Sequence, residues 1–324
     1  MGILTDLHEL VSHNVIGEKQ LRPRYLGFRA ELDSKSILCT YYSKVLSGGY
    51  IISLDSSESS LNNSIYFTCV PNMADISDYQ KVYIELKKLN FKTMYLLIYS
   101  EPFEDKEVMI FEDKKVSLKC PSFKVMSFNY EENLFEVCDD LEVFISEFEK
   151  VSVRGRNTFP IGVDYQRMLI SSLNHYEKSD LIQLYVERLV FDGFLGFSIK
   201  KGKPSDIDAI GILDDGTIEL IEIKEKDLPK VNRKGFGLDT PRIRDFQQIE
   251  KLTGLNYRLF VRHVNNQKDR KLLNWLCIAI SDFVEDVVGE SEVEGGTGMR
   301  SQYSKNPTKI CSFEKFTIVE EKND

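Results

Sequence analysis

The stretch Ser205–Lys224 reads Ser-Asp-Ile-Asp-Ala-Ile-Gly-Ile-Leu-Asp-Asp-Gly-Thr-Ile-Glu-Leu-Ile-Glu-Ile-Lys and holds the residues whose types and spacing best suit chemistry. Two apolar runs flank Asp214-Asp215-Gly216, a composition that supplies a left-handed position at the glycine, so the segment reads as a β-hairpin. Side chains two apart share a strand face, which groups Asp206 with Asp208 and Glu222 with Lys224. A three-residue turn pairs Leu213 with Thr217, sets Asp208 opposite Glu222 and sets Asp206 opposite Lys224. Carboxylates and an ammonium then meet at one edge of an apolar hairpin, a costly arrangement unless water or a metal occupies it. Mg2+ takes hard oxygen ligands, often one or two carboxylates plus phosphate oxygens. Asp208 and Glu222, with the Ile223 carbonyl between them, offer that environment. Lys224 is placed to orient or deprotonate a water and to offset charge on a phosphate. A bound metal lowers the pKa of its water and stabilises developing charge, so phosphodiester hydrolysis suits this set better than acyl or glycosyl transfer.

A solvated edge strand with a routine cross-strand ion pair would also carry Glu222 and Lys224. Against that, Ile218, Leu220, Ile221 and Ile223 make the strand apolar almost throughout, as in a central strand. Two basic groups follow the same logic, Lys200, Lys201 and Lys203 before the hairpin and Lys230, Arg233 and Lys234 after it. Each is either a solvated loop or a set of phosphate contacts.

The elements that must position these residues are read around the hairpin. Tyr165–Asn174 and Ser179–Phe191 read as helices, the second capped by Ser179, and Phe194–Lys200 as a strand. After a loop over 225–239, Thr240 and Pro241 start a helix that ends before Gly254. Tyr257–Val264 then reads as a strand and Asp269–Val287 as a long helix containing Trp275. Glu290–Arg300 reads as a surface loop, and Ile310–Val319 as a late edge strand. In the first half, Leu4–Val11 is a helical candidate, followed by basic Arg22, Arg24 and Arg29. Ile37–Tyr42, Tyr50–Leu54, Ile65–Val70, Lys92–Ile98, Val108–Phe111 and Phe123–Phe128 read as strands, and Asp75–Leu89 and Leu134–Phe148 as helices. The polar, Gly- and Pro-punctuated segment 154–160 reads as a boundary between an N-terminal α/β domain, residues 1–155, and a second domain, residues 160–324.

A strand aspartate, a turn and Glu222-x-Lys224 closing an apolar strand resemble the core of the PD-(D/E)XK nuclease superfamily, which includes restriction endonucleases and Holliday-junction resolvases. The resemblance covers roughly residues 179–264. It implies a restriction-endonuclease-like mixed sheet flanked by helices, entered in the order helix, three mixed strands, helix and strand. It implies a divalent-metal-dependent endonuclease acting on DNA, with Mg2+ as cofactor and Mn2+ as substitute, in a restriction or defence setting. Asp208, Glu222 and an auxiliary Glu187 on the first core helix would hold the metal, with Lys224 assisting the water. Asp206 is an alternative ligand to Asp208, which is preferred because it directly precedes the apolar run and faces Glu222. Gln247 and Gln248 match a polar position on the following helix. Ser205 stands where the named motif has proline, and neither glutamine is followed four residues on by tyrosine, the signature of the helicase-associated branch.

Composition bounds these readings. With 324 residues, 42% hydrophobic and 29% charged, the chain suits two folded domains. The net charge of −9 argues against a strong nonspecific nucleic-acid binder. Residues 1–155 carry 17 basic and 24 acidic groups, against 25 and 27 in the remainder, so phosphate contacts are expected from the later half. Six cysteines without a Cys-x-x-Cys pair read as reduced thiols, and the four histidines form no zinc-type cluster. No apolar run spans a bilayer and the N-terminus has no leader pattern, so a cytoplasmic location without membrane partners is expected. Two-strand cleavage favours a homodimer, and residues 1–155 are expected to recognise DNA, bind a protein partner or regulate cutting. A catalytically silent nuclease-fold scaffold and an RNA-directed phosphoesterase are the alternatives.

Overall fold

The computed structural model describes residues 2–13, 18–54, 61, 63–111, 114–138, 140–148, 161–196, 204–228, 235–297 and 305–320. They form two compact units, one of Met1–Phe28 with Gly49–Asp206 and one of Arg29–Gly48 with Ile207–Asp324. The boundary read at 154–160 lies outside the described residues. The units assign 29–48 to the later half of the chain, which a single cut there does not. No described helix is long and apolar enough to cross a membrane, and all six cysteines are free.

The first unit contains α1 (Ile3–His13), the start of α2 (Glu18–Tyr41) and the end of β1 (Lys44–Ser53). It continues through β2 (Ser64–Pro71), α3 (Ile76–Leu86), β3 (Thr93–Phe111), β4 (Lys114–Asn129), β5 (Leu134–Cys138), α4 (Leu141–Ser146), α5 (Val163–Ser171) and α6 (Lys178–Arg188). Its strands run in the order β1-β2-β3-β4-β5, all neighbours antiparallel except the parallel pair β2–β3. The crossover between that parallel pair is α3, which Asp75 caps by accepting from the Ser77 N–H at 2.9 Å. Its buried Tyr79, Val82, Tyr83 and Leu86 recur at helical spacing and form the stripe laid on the sheet.

Several expectations for the first part of the chain are corrected. Ile37–Tyr42 is not a strand: residues 37–41 end α2 and Tyr42 follows it. In that helix the buried positions change face midway, from Leu21, Tyr25, Phe28 and Leu32 to Ala30, Ser34, Ile37 and Leu38, so no single stripe announces it. Leu134–Phe148 is β5 followed by α4, because Asp140 starts a new helix by accepting from the Glu142 N–H at 2.9 Å. Val108–Phe111 is the far end of β3 rather than a separate strand. The α6 helix starts one residue before the expected cap, without a side-chain cap bond, and continues as a π-helical turn over Leu189–Phe194. Phe194 is therefore helical rather than the start of a strand; the rest of that expected strand, 197–200, lies outside the described residues.

The second unit contains β6 (Pro204–Ile212, from Ile207), β7 (Ile218–Asp227), β8 (Gly235–Asp239), α7 (Thr240–Thr253), β9 (Asn256–Val264), β10 (Leu272–Ala279), α8 (Ile280–Val287), β11 (Val293–Thr297), β12 (Lys305–Ser312) and β13 (Thr317–Val319). Its main sheet runs β13-β10-β9-β7-β6, and a small antiparallel sheet runs β11-β12-β8. β7 is antiparallel to β6 and parallel to β9, so this sheet is mixed. On one face Ile37 and Leu38 of α2, with Tyr42 just after it, pack against Ala209, Ile221, Ile223, Phe260 and Trp275. Alternation therefore sends Leu220, Glu222 and Lys224 to the opposite face. β1 ends its share of this unit at Gly48, where an added Cβ would lie 1.7 Å from the Ile207 carbonyl oxygen. Only glycine permits so close an approach beside the strand that carries Asp208.

The expected helix Asp269–Val287 is β10 followed by α8. Its run Leu-Leu-Asn-Trp-Leu-Cys-Ile-Ala is buried from Trp275 to Ile278 between β9 and β13, and periodicity does not separate such a strand from a buried helix. Val293–Thr297 is a strand rather than loop, paired with β12. The late strand is divided in two, with β13 at the sheet edge beside β10. α7 has Asp239 at its N-cap position rather than Thr240, and ends at Gly254 in a left-handed conformation, φ +76°.

Candidate metal centre

The centre is built on the hairpin β6–β7. Asp214–Gly216 forms the three-residue turn: Leu213 N–H donates to Thr217 O at 2.9 Å, Gly216 adopts φ +85°, and Asp215 accepts from the Thr217 N–H at 2.9 Å. The register runs from Ile212–Ile218 to Ala209–Ile221 as the turn length requires. At the next position the Ile223 N–H donates to Asp208 Oδ2 at 2.6 Å, so a side chain takes the place of a ladder partner. The main chain of β7 thereby fixes the carboxylate of β6.

Asp206, Asp208 and Glu222 each bring a carboxylate oxygen within 4.8 Å of the other two. Glu222 is fully buried. Arg242, in the first turn of α7, donates from Nη2 to Glu222 Oε2 at 2.6 Å. The Lys224 ammonium lies 2.5 Å from Glu222 Oε1 and 3.7 Å from Asp208 Oδ2. The first contact is an ion pair outside hydrogen-bond angles, so the buried Oε1 has no aligned donor. Burying Glu222 beside two part-buried aspartates is tolerable only with cations beside them, and Lys224 and Arg242 are two such cations.

The donor set fits a hard divalent cation. It consists of acceptor oxygens, which sit about 3–4 Å apart around an ion at 2.0–2.1 Å, and one of them is a buried oxygen lacking an aligned donor. The mixed α/β fold thus carries an acidic cluster able to coordinate a metal ion.

The structure brings together Asp206, Asp208, Glu222 and Lys224 of the residues read from sequence. Glu187 lies on α6 of the first unit, half-buried, and its Oε1 accepts from Gln183 Nε2 at 2.7 Å; it is not one of the three clustered acids. Gln247 and Gln248 are exposed on α7. Lys200, Lys201, Lys203, Lys230, Arg233 and Lys234 lie outside the described residues. Among the described residues α6, β6, β7, α7 and β9 occur in the expected sequence, but β8 is added before α7 and Phe194 is helical, so the expected three-strand entry is not reproduced there.

Two residues at the centre escape the sequence reading. Lys226 continues the alternation Glu222-x-Lys224-x-Lys226 on the same face of β7. Although the residue is only part-buried, its ammonium sits in dense surroundings: burial lowers its pKa, and the nearby Lys224 charge adds to the effect. Arg242 carries a readable signal. A cation in the first turn of a helix opposes the macrodipole, and α7 has no acidic residue there, so an arginine at that position calls for an acidic partner elsewhere.

Comparison with protein-family models, with curated proteins and with solved structures returns no match.

Proposed function

We propose that this chain is a divalent-metal-dependent nuclease that hydrolyses phosphodiester bonds in DNA. The observation that carries the reading is the convergence of Asp206, Asp208 and Glu222 within 4.8 Å, with the Lys224 ammonium against two of them. Asp208 and Glu222, with Asp206, would hold Mg2+ or Mn2+. A cation bound there lowers the pKa of water and neutralises charge on a phosphate. Asp208 is oriented by the Ile223 N–H and Glu222 by Arg242, so both carboxylates are held in place before substrate arrives. Lys224, 38% exposed along its side chain, stands where it can orient the attacking water and offset phosphate charge. With a net charge of −9, the chain has little general affinity for a polyanion, and a site that gains its positive potential with the metal suits that balance.

Incubation of the full chain with plasmid, linear duplex, single-stranded DNA and RNA tests the reading. DNA is expected to be cut with Mg2+ or Mn2+ and to survive intact when EDTA is added. Cutting of RNA alone would transfer the activity to the RNA-directed alternative. The pairing of Glu222 with both Lys224 and Arg242 favours a second reading, a catalytically silent binding module in which these cations stand in for the metal. Failure of the cluster to take up Mn2+, together with intact DNA in every lane, would decide for that module.

A further inference from the structure

We infer that Arg242 is a positioning residue for the acidic cluster: it pins one oxygen of Glu222 and thereby presents the other to Asp206 and Asp208. This rests on the cluster being a divalent-cation site, as proposed above.

The contrast with the two other glutamates of β7 carries the inference. Glu219 has both oxygens occupied, Oε1 by Arg258 Nη2 and Asn256 and Oε2 by Arg258 Nε and Tyr42. Glu225 likewise has Oε2 held by Arg262 and Oε1 by Arg270. Glu222 is the most deeply buried of the three, yet only its Oε2 has an aligned donor, Arg242.

The arginine is itself held in place. Its guanidinium lies 4.8 Å from the centroid of the Phe246 ring, one turn along α7, and its side chain is 17% exposed. Lys224 is more exposed and touches Oε1 outside hydrogen-bond geometry, so it can withdraw as a cation enters while Arg242 stays. Arginine holds Glu222 Oε2 with a directional N–H on a rigid guanidinium, whereas a lysine ammonium in its place would be a point charge on a flexible stem.

Mn2+ titration by calorimetry and by the electron paramagnetic resonance signal of free Mn2+, on the full chain, tests this without recourse to catalysis. Arg242→Gln is expected to weaken Mn2+ binding about 10- to 100-fold, the range for removing a group that orients a metal ligand. Arg242→Lys is expected to recover part of that loss. Wild-type Mn2+ affinity in a folded Arg242→Gln chain overturns the inference. If that variant does not fold, Arg242→Lys decides: weakened binding supports the role and wild-type binding removes it. If the wild-type chain binds no Mn2+, or binds it equally well as Asp208→Asn and Glu222→Gln, the cation-site reading fails and the positioning role falls with it. Loss confined to the Arg242 variants is thereby separable from loss of the site.

Discussion

Glu222→Gln is expected to reduce metal-dependent DNA cleavage by roughly 100-fold or more, since even groups that merely orient a ligand are worth about 10- to 100-fold. The substitution nearly preserves volume but removes the charge at the middle of the cluster. It also leaves Arg242 and Lys224 facing a neutral amide. Asp208→Asn is expected to match it, and its comparison with Asp206→Asn identifies which aspartate is the stronger ligand, because the larger loss of Mn2+ affinity marks it. Lys224→Ala should behave differently. It removes a cation that competes for Glu222 Oε1, so metal binding should hold or tighten while turnover falls. Cleavage rates and Mn2+ titrations on the same preparations separate these outcomes. Unchanged cleavage in the Asp208, Glu222 and Lys224 variants together would end the proposed mechanism.

The largest effect on stability is expected on the other face of β7, at Arg258. Glu219, 2% exposed, receives two bonds from Arg258 at 2.8 and 2.9 Å and one from Tyr42 at 2.7 Å. Arg258→Met leaves this acid buried with only Tyr42 and the long Asn256 contact. Breaking such a pair costs about 3–5 kcal/mol, to be read from urea denaturation of the full chain. Tyr42→Phe should cost less, about 1.5–3 kcal/mol for one bond to a charged group. The pH dependence supplies the check. Burial pushes the Glu219 carboxyl up, but the bonds from Arg258 and Tyr42 and the Arg258 charge outweigh it and hold the pKa below the ordinary value. A depressed native pKa gives stability that is complete above the unfolded value, about 4.3, and lost as pH falls through the native one. In Arg258→Met the upward push of burial is opposed only by the bonds from Tyr42 and Asn256, so the stability gap between the two chains should be widest near neutrality and narrow below about pH 4. A gap that stays constant down to acid would assign the loss to packing rather than to the charge pair.

The hairpin and its register were legible because they depend on parity and turn length alone. Asp-Asp-Gly closes one loop, and from it follow the opposed positions of Asp208 and Glu222. Other parts were not legible, for physical reasons. Glu219, Glu222 and Glu225 are alike as letters. What separates them is that Arg258, Arg262 and Arg270 converge on one side of the strand while Arg242 reaches the other, and each arginine lies 20 to 45 residues along the chain from the acid it holds, so only the fold pairs them. The end of α2 resembled a strand because its β-branched and aromatic residues are buried on a face different from that of its beginning. Leu272–Ala279 resembled a helix because a strand covered on both sides reads as an uninterrupted apolar run. The auxiliary role expected for Glu187 remains a proposal, with its carboxylate bonded to Gln183.

The tie between the Asp208 carboxylate and the Ile223 main chain also bears on how such a centre passes from one protein to another. Asp206, Asp208, Glu222 and Lys224 all come from a single hairpin, so a transplanted segment 204–227 would carry them as one cassette, with its alignment set by its own turn. What the cassette leaves behind is Arg242. A recipient scaffold would therefore inherit the acids whole, and would still have to furnish a guanidinium from a neighbouring helix to aim them.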